Sequence, residues 1–202
     1  MQAYVLTCEE RSQECAETVG ELARTDWGVP PKLVVDDGVA PRKLQRILDT
    51  GRALLARAVD ESGSDADVFL FLEDDLTFNR SLRHNLAQWA PVVDRRPDGH
   101  LFGSLYNPNV VALDPDGRSA LVADPRSFYG SQGMVLSIAT ARSLLNAWND
   151  GSGPLDLRIS RLAARWSPIW YHHPSLVQHR PVASTWGGAQ HEAIDFDPEW
   201  RA

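Results

Sequence analysis

The run VFLFLEDDLTF, residues 68–78, reads as an apolar strand that stops abruptly at Glu73, Asp74 and Asp75. Successive side chains of a strand point to opposite faces, so five large apolar residues in a row demand cover on both sides. That places the strand inside a layered α/β structure rather than on an open, half-wetted sheet. Three adjacent carboxylates at its mouth repel one another, and a cationic partner is expected there.

The flanking sequence supplies the layers. Tyr4–Leu6 reads as a strand, and residues 12–24 carry Ala16, Val19 and Ala23 at helical spacing, with Ser12 as the expected cap. Leu33–Val35 is the next strand, closed by the Asp36-Asp37-Gly38 turn signal. A longer helix is expected from near Pro41, with Leu44, Ile47, Leu48, Leu55 and Val59 on its inner face despite Gly51. After the loop at 61–67 and the apolar strand, Asn79 is the expected cap of a helix that aligns Leu82, Leu86 and Trp89. Strand and helix alternating three times predict parallel strands covered on both faces, with active residues at their C-terminal ends. Thr7, Asp36, Asp37, Glu73, Asp74 and Asp75 all fall there.

Beyond Pro91 the rhythm changes. Residues 91–99 read as a surface crossing, 101–122 as short strands broken by turns, and 127–138 as a strand that closes over a ligand. Thr140 is the expected cap of a short helix containing Leu144, Leu145 and Trp148. The Gly-Ser-Gly-Pro hinge at 151–154 introduces an amphipathic segment with Leu157, Leu162 and Trp166 on its packed side. Ile169–Tyr171 and Leu176–His179 read as strands, and 184–202 as an irregular tail that wraps the surface.

With 202 residues, of which 43% are hydrophobic, the chain has material for one substantial core. A formal net charge of -7 argues against broad attraction to nucleic acid, although a local basic groove can still hold a phosphate. VFLFL is too short to span a bilayer, so no transmembrane segment is expected. Met1 leads into AYVL without a basic, apolar leader, and cytoplasmic residence is the default expectation. Cys8 and Cys15, the only cysteines, suggest neither a disulfide framework nor a zinc site.

Several side chains have chemistry that fits a strand-end cleft. Asp75 lies furthest beyond the apolar run and is the better candidate to ligate a hard divalent cation, which can also neutralise a diphosphate. Glu73 or Asp74 can instead hold a ribose or sugar hydroxyl, and a solvated acid cluster at a helix start explains all three without a ligand. Asp36 and Asp37 can accept from a ribose or base edge, while turn formation alone also accounts for them. Arg11, Arg42 and Arg46 are phosphate candidates through their fixed guanidinium donors. His179 can add an imidazole nitrogen to an oxygen-rich metal shell, or can simply end a strand. His172 and His173 suit loop contacts, and His84 reads as surface. Asp156, after the hinge, can be a general base or a helix cap. Trp186 and Trp200 suit either ring stacking or edge packing.

Taken together, YVLTCEER, VVDDG, FLFLEDD and the late PSLVQH resemble the GT-A type of nucleotide-sugar glycosyltransferase. The resemblance implies a Rossmann-type mixed sheet flanked by helices in a single domain spanning 1–202. Residues 1–90 would form its nucleotide-sugar-binding half and 91–202 its sugar- and acceptor-binding half. It further implies Mn²⁺ or Mg²⁺ held by Asp75 and His179, the nucleoside met by Asp36 or Asp37, and donor contacts from Thr7, Arg11, Arg42, Arg46, Glu73 and Asp74. Asp156 would be the base of an inverting transfer from a nucleotide diphosphate sugar to an acceptor hydroxyl. FYGSQGMVLS, residues 128–137, resembles the family stretch near donor sugar and acceptor. The EDD form is similar to that of the collagen and lipooligosaccharide galactosyltransferase group, and PSLVQH to that of the N-acetylglucosaminyltransferases that branch N-glycans. Small phage-encoded enzymes that glycosylate hydroxymethylated pyrimidines also resemble this type, so modified DNA is a conceivable acceptor, against which the lack of an overt basic patch weighs. A non-catalytic nucleotide-sugar-binding module and a phosphatase or nucleotidyltransferase are the competing readings.

Overall fold

A computed structural model of the chain describes residues 1–36, 38–40, 42–65, 67–95, 99–108, 119–120, 128, 130–182 and 192–202. The expected strand ends at Leu72, and its neighbours assemble around it. The elements are β1 (Gln2–Thr7), α1 (Ser12–Ala23), β2 (Lys32–Val35), α2 (Lys43–Asp60), β3 (Val68–Leu72), β4 (Leu76–Phe78), α3 (Leu82–Gln88), α4 (Ala90–Val93) and β5 (Phe102–Ser104). They continue with β6 (Ser119–Ala120), β7 (Gly133–Ser137), α5 (Ile138–Asn146), α6 (Leu155–Ala163), β8 (Ile169–His172) and β9 (Val177–His179).

Among the described residues seven strands form one sheet in the order β2-β1-β3-β7-β5-β8-β6. β1 runs parallel to both β2 and β3, whereas β7 is antiparallel to β3 and β5, so the sheet is mixed and carries helices on its faces. The alternation within VFLFL decides which core each residue joins. Phe69 and Phe71 pack with Phe102, Leu136, Leu54 and Leu55 under α2, α5 and α6. Val68, Leu70 and Leu72 pack with Trp27, Leu86 and Trp89 on the other face. Each buried aromatic or leucine contributes about 1.5–3 kcal/mol, so β3 is the axis of both cores.

β4 was not legible as a separate strand. The turn after Leu72 breaks VFLFLEDDLTF in two, and Leu76–Phe78 leaves the main sheet to pair antiparallel with β9, Leu76 opposite His179. Three expected caps also fall elsewhere. Ser12 is the first residue of α1 rather than its cap, following a short 3₁₀ turn at Glu9–Arg11. Ser137, not Thr140, caps α5, accepting from Thr140 N at 3.2 Å. Asn79 does not cap α3: its Nδ2 donates to the carbonyls of Asp197 and Trp200 at 2.8 Å, tying down the tail. Trp89 and Trp148 are buried as expected, but Trp166 is 37% exposed and stacks on His100 instead of entering the core.

Helix α2 tolerates Gly51 because a Cβ there would lie 2.5 Å from Leu155 of α6. Gly103 in β5 is tighter still, since an added Cβ would stand 2.5 Å from Trp89 Cη2 and 2.9 Å from Val135 Cγ1. Gly103→Ala is expected to lose about 1–3 kcal/mol of stability by overpacking. A urea midpoint unchanged from the parent protein would refute that packing.

Glu61, at the end of α2, accepts hydrogen bonds from Tyr4 at 2.9 Å, Lys32 at 2.8 Å and Arg57 at 3.0 Å. Lys32 above all, helped by Arg57 and Tyr4, holds the Glu61 carboxyl down at about 2, against an ordinary value of 4.5. A carboxyl lowered on folding stabilises the fold above its unfolded pKa and loses that contribution as pH falls from about 4.5 towards 2. The group is partly solvated, so the effect is about 1 kcal/mol or less. Glu61→Gln should flatten stability across that window relative to the parent, as read by urea titrations at each pH.

Candidate functional site

The C-terminal ends of β1 and β3 meet at a cluster of buried carboxylates around one arginine. After Leu72 the backbone bends through Asp74 and Asp75, and Thr18 of α1 pins the bend. Its hydroxyl donates to Asp74 O at 2.7 Å and accepts from Leu76 N at 2.9 Å. The bend defeats strand alternation, so Asp74 and Asp75 both turn inward and are only 5% and 6% exposed. Arg11, from the 3₁₀ turn before α1, reaches both: Nε donates to Asp74 Oδ1 at 2.7 Å and Nη2 to Asp75 Oδ2 at 2.6 Å. The cationic partner implied by three adjacent carboxylates is thus supplied by the chain itself. Thr7 at the end of β1 donates to Asp74 Oδ2 at 2.6 Å, which occupies both oxygens of Asp74.

His179 arrives from the far end of the sequence through the β4–β9 pairing. Its Nε2 stands 3.2 Å from Asp75 Oδ2. The hydrogen bond to Asp75 raises the His179 pKa against the effect of burial. Asp75 Oδ1 is buried and has no hydrogen-bond partner among the described residues. An octahedral ion with bonds of about 2.1 Å spaces adjacent ligands about 3 Å apart, so the Asp75–His179 separation fits a shared hard cation. Among the described residues no group of three or more His, Cys, Asp or Glu side chains is arranged to hold a metal alone. Asp75 and His179 could therefore fill two positions of a shell only if its remaining oxygens were supplied from outside the described side chains.

Glu73 turns the other way, where the hydroxyl of Ser131 donates to it. Burial, and then the nearby charge of Asp75, push its carboxyl well above the usual carboxylate range. The β3–β7 ladder continues one residue past Leu72, with Glu73 N donating to Gln132 O at 3.1 Å, and Leu105 N donates to Gly133 O at 2.8 Å. Glu73, Gln132 and Tyr106 consequently lie side by side across three strand ends. Tyr106 Oη and Gln132 Oε1 are buried without a hydrogen-bond partner among the described residues. Unsatisfied buried polar atoms are uncommon and costly, and two beside the carboxylates suit a polar ligand that completes them. Sequence reasoning missed Tyr106, which lay in a segment read as short strands broken by turns with no site residue singled out, whereas Ser131 and Gln132 fall in the FYGSQGMVLS stretch.

Asp156 sits in the first turn of α6 and accepts from Gly130 N at 3.0 Å and from Leu157 N at 2.8 Å. It is therefore anchored next to the Ser131–Glu73 contact. Asp36 N donates to Thr7 O at 2.9 Å, which brings the end of β2 beside the cluster. The Asp36 side chain accepts from Arg46 and from Gly38 N at 3.1 Å, with Gly38 in the left-handed region. Arg46 also approaches Glu10 at 3.4 Å. Arg42 precedes α2 and is exposed, and among the described residues its side chain has no ion pair with the carboxylates. Asp37, Tyr129 and Trp186 lie outside the described residues.

Of the other side chains singled out from sequence, His172 is buried, with Nδ1 2.7 Å from Pro174 O, and His173 pairs with Asp195 at 2.9 Å. His84 contacts Ala202 O at 3.1 Å. Both cysteines are free thiols. A cavity of about 510 Å³ opens at the opposite end of the sheet beside Gln2, Tyr4, Glu61 and Asp67, and neither Asp74 nor Asp75 lines it. Among the described residues no helix is long and apolar enough to cross a membrane. A scan against protein-family models and a search of curated proteins each return no match to this chain.

Proposed function

We propose that the chain is a GT-A-like, metal-dependent glycosyltransferase that moves a sugar from a nucleotide diphosphate sugar to an acceptor hydroxyl with inversion. The observation that carries this reading is the convergence of Asp75 and His179 at the strand ends, 3.2 Å apart, with Asp75 Oδ1 buried and unpartnered. Asp75 and His179 would hold Mn²⁺ or Mg²⁺, which neutralises the charge that grows on the departing diphosphate. Asp36 and Arg46 lie one strand away, where the nucleoside and its phosphates would extend. Glu73, Gln132 and Tyr106 offer polar atoms to the sugar hydroxyls.

Asp156 takes the proton from the acceptor hydroxyl as its oxygen bonds to the anomeric carbon. The bond from that carbon to the diphosphate oxygen breaks on the opposite side, and the nucleoside diphosphate leaves with the electron pair. The two backbone N–H groups that anchor Asp156 hold the carboxylate in place and leave each oxygen a further acceptor site.

Donor hydrolysis and transfer should be measured with Mn²⁺ and a panel of nucleotide sugars. Asp156→Asn is expected to leave metal-dependent donor binding within about 2-fold while lowering turnover about 10²–10⁴-fold. Equal turnover in parent and variant would reject the role of Asp156. Donor binding without turnover in the parent protein would favour a binding module, and phosphate or phosphodiester turnover without glycosyl transfer would favour a phosphatase or nucleotidyltransferase.

A further inference from the structure

We propose that Arg11 is the exchangeable counter-ion of this site: a divalent cation displaces its guanidinium from Asp75, and the donor diphosphate then receives it. Cation and donor therefore bind with positive coupling. The inference rests on the metal and donor reading above and adds to it a defined role for one residue.

Three observations support the exchange. First, Asp75 Oδ2 is claimed twice, by Arg11 Nη2 at 2.6 Å and by His179 Nε2 at 3.2 Å. A divalent ion bound between Asp75 and His179 approaches that same oxygen and repels a guanidinium already seated on it. Second, Arg11 has a second anchor in Asp74, which accepts from Nε at 2.7 Å, while its backbone N donates to Cys8 O at 3.1 Å. The side chain can keep Asp74 as a pivot while the Nη2 contact to Asp75 is exchanged. Third, the Arg11 side chain is only 13% exposed, so Nη2 hydrogens released from Asp75 meet little water and favour a new anionic acceptor while Nε keeps Asp74. A phosphate oxygen meets that need, because the planar guanidinium fork matches phosphate geometry.

The ligand order follows from the charges. In the absence of diphosphate the ion competes with Arg11 and binds weakly. With diphosphate present, Arg11 gains a phosphate partner as the ion gains phosphate oxygens. Linkage makes the effect reciprocal, so the ion must tighten the diphosphate by the factor by which the diphosphate tightens the ion.

The test uses the full chain and two variants, Arg11→Gln and Arg11→Lys. Donor-free binding of Mn²⁺ alone is read from the free-ion electron paramagnetic resonance signal, and binding of a panel of nucleoside diphosphates by calorimetry with and without saturating Mn²⁺. In the parent protein the coupling factor is expected to be on the order of 10 or more. Arg11→Gln should bind Mn²⁺ alone about 10-fold more tightly, bind nucleoside diphosphate more weakly at saturating Mn²⁺, and bring the coupling close to 1. Arg11→Lys retains the charge but not the fork, so it should show a smaller shift of the same sign, and it serves if the Gln variant fails to fold.

Donor-free Mn²⁺ affinity that is unchanged or weaker in the variants, while the parent binds Mn²⁺ with diphosphate, would overturn the exchange and leave the proposed function standing. Failure of both parent and variants to bind Mn²⁺, even with diphosphate, would remove the exchange and the metal-dependent reading together.

Discussion

Asp75→Asn is expected to weaken Mn²⁺ binding, measured with a nucleoside diphosphate present, on the order of 100-fold, or about 2.7 kcal/mol. The size follows from the ligand count. In the proposed site Asp75 and His179 would be the ligands drawn from the described residues, and only Asp75 would bring a negative charge. An amide keeps the shape and one carbonyl oxygen but removes the attraction that offsets dehydration of a hard cation. The substitution also takes away a charged partner of Arg11, which in the parent donates to Asp75 Oδ2 at 2.6 Å. Diphosphate binding without metal should accordingly be retained or modestly tightened while metal-dependent turnover collapses. Asp65→Asn, at an exposed ion pair with Arg142, is a suitable control that should change neither quantity. If Asp75→Asn and Asp65→Asn bind Mn²⁺ equally well, Asp75 is not a ligand.

Asn79→Ala is expected to cost about 3 kcal/mol or more, because the amide is buried and uses all of its hydrogen-bonding capacity. Nδ2 donates to the carbonyls of Asp197 and Trp200, and Oδ1 accepts from Ser81 N and Asn85 Nδ2, each at 2.8 Å. Alanine leaves four polar groups short of a partner in one place. For a chain of this size the loss corresponds to a fall in Tm of about 6–12 °C. The local sign is as informative as the global one. Amides of Phe196 and Trp200, bonded to Ala193 and Asp197, should exchange hydrogen faster in the variant. A variant with parental Tm and undisturbed exchange at 196–200 would show that Asn79 does not hold the tail.

These two residues mark how far the sequence could be read. The place of Asp75 at the end of a buried strand was legible because a long apolar run that stops at carboxylates marks a strand terminus, and the helix faces of Leu48, Leu55 and Leu86 followed from periodicity alone. Asn79 was misread as a cap because the two carbonyls that its Nδ2 reaches lie more than 100 residues away, where no local rule can reach. The same limit hid β4. LTF is too short to signal a strand, and its existence depends on Val177–His179 arriving beside it. That the turn after Leu72 buries both Asp74 and Asp75 was hidden too, since it depends on Thr18, an unremarked polar residue on the buried face of α1. Arg11 was singled out as a phosphate partner. That it first neutralises two carboxylates could be known only once the 3₁₀ turn aimed it back at β3.

The pairing of Leu76 with His179 also sets an order of assembly during synthesis. A nascent chain that has not yet reached Val177 already contains β1, β2, β3 and Arg11, so the carboxylates acquire their arginine early. The imidazole joins them only after a loop of roughly one hundred residues has closed, which is entropically among the slower contacts to form. Ribosome-bound chains stopped before and after that point should therefore differ in their capacity to retain Mn²⁺, although both already carry the acidic turn.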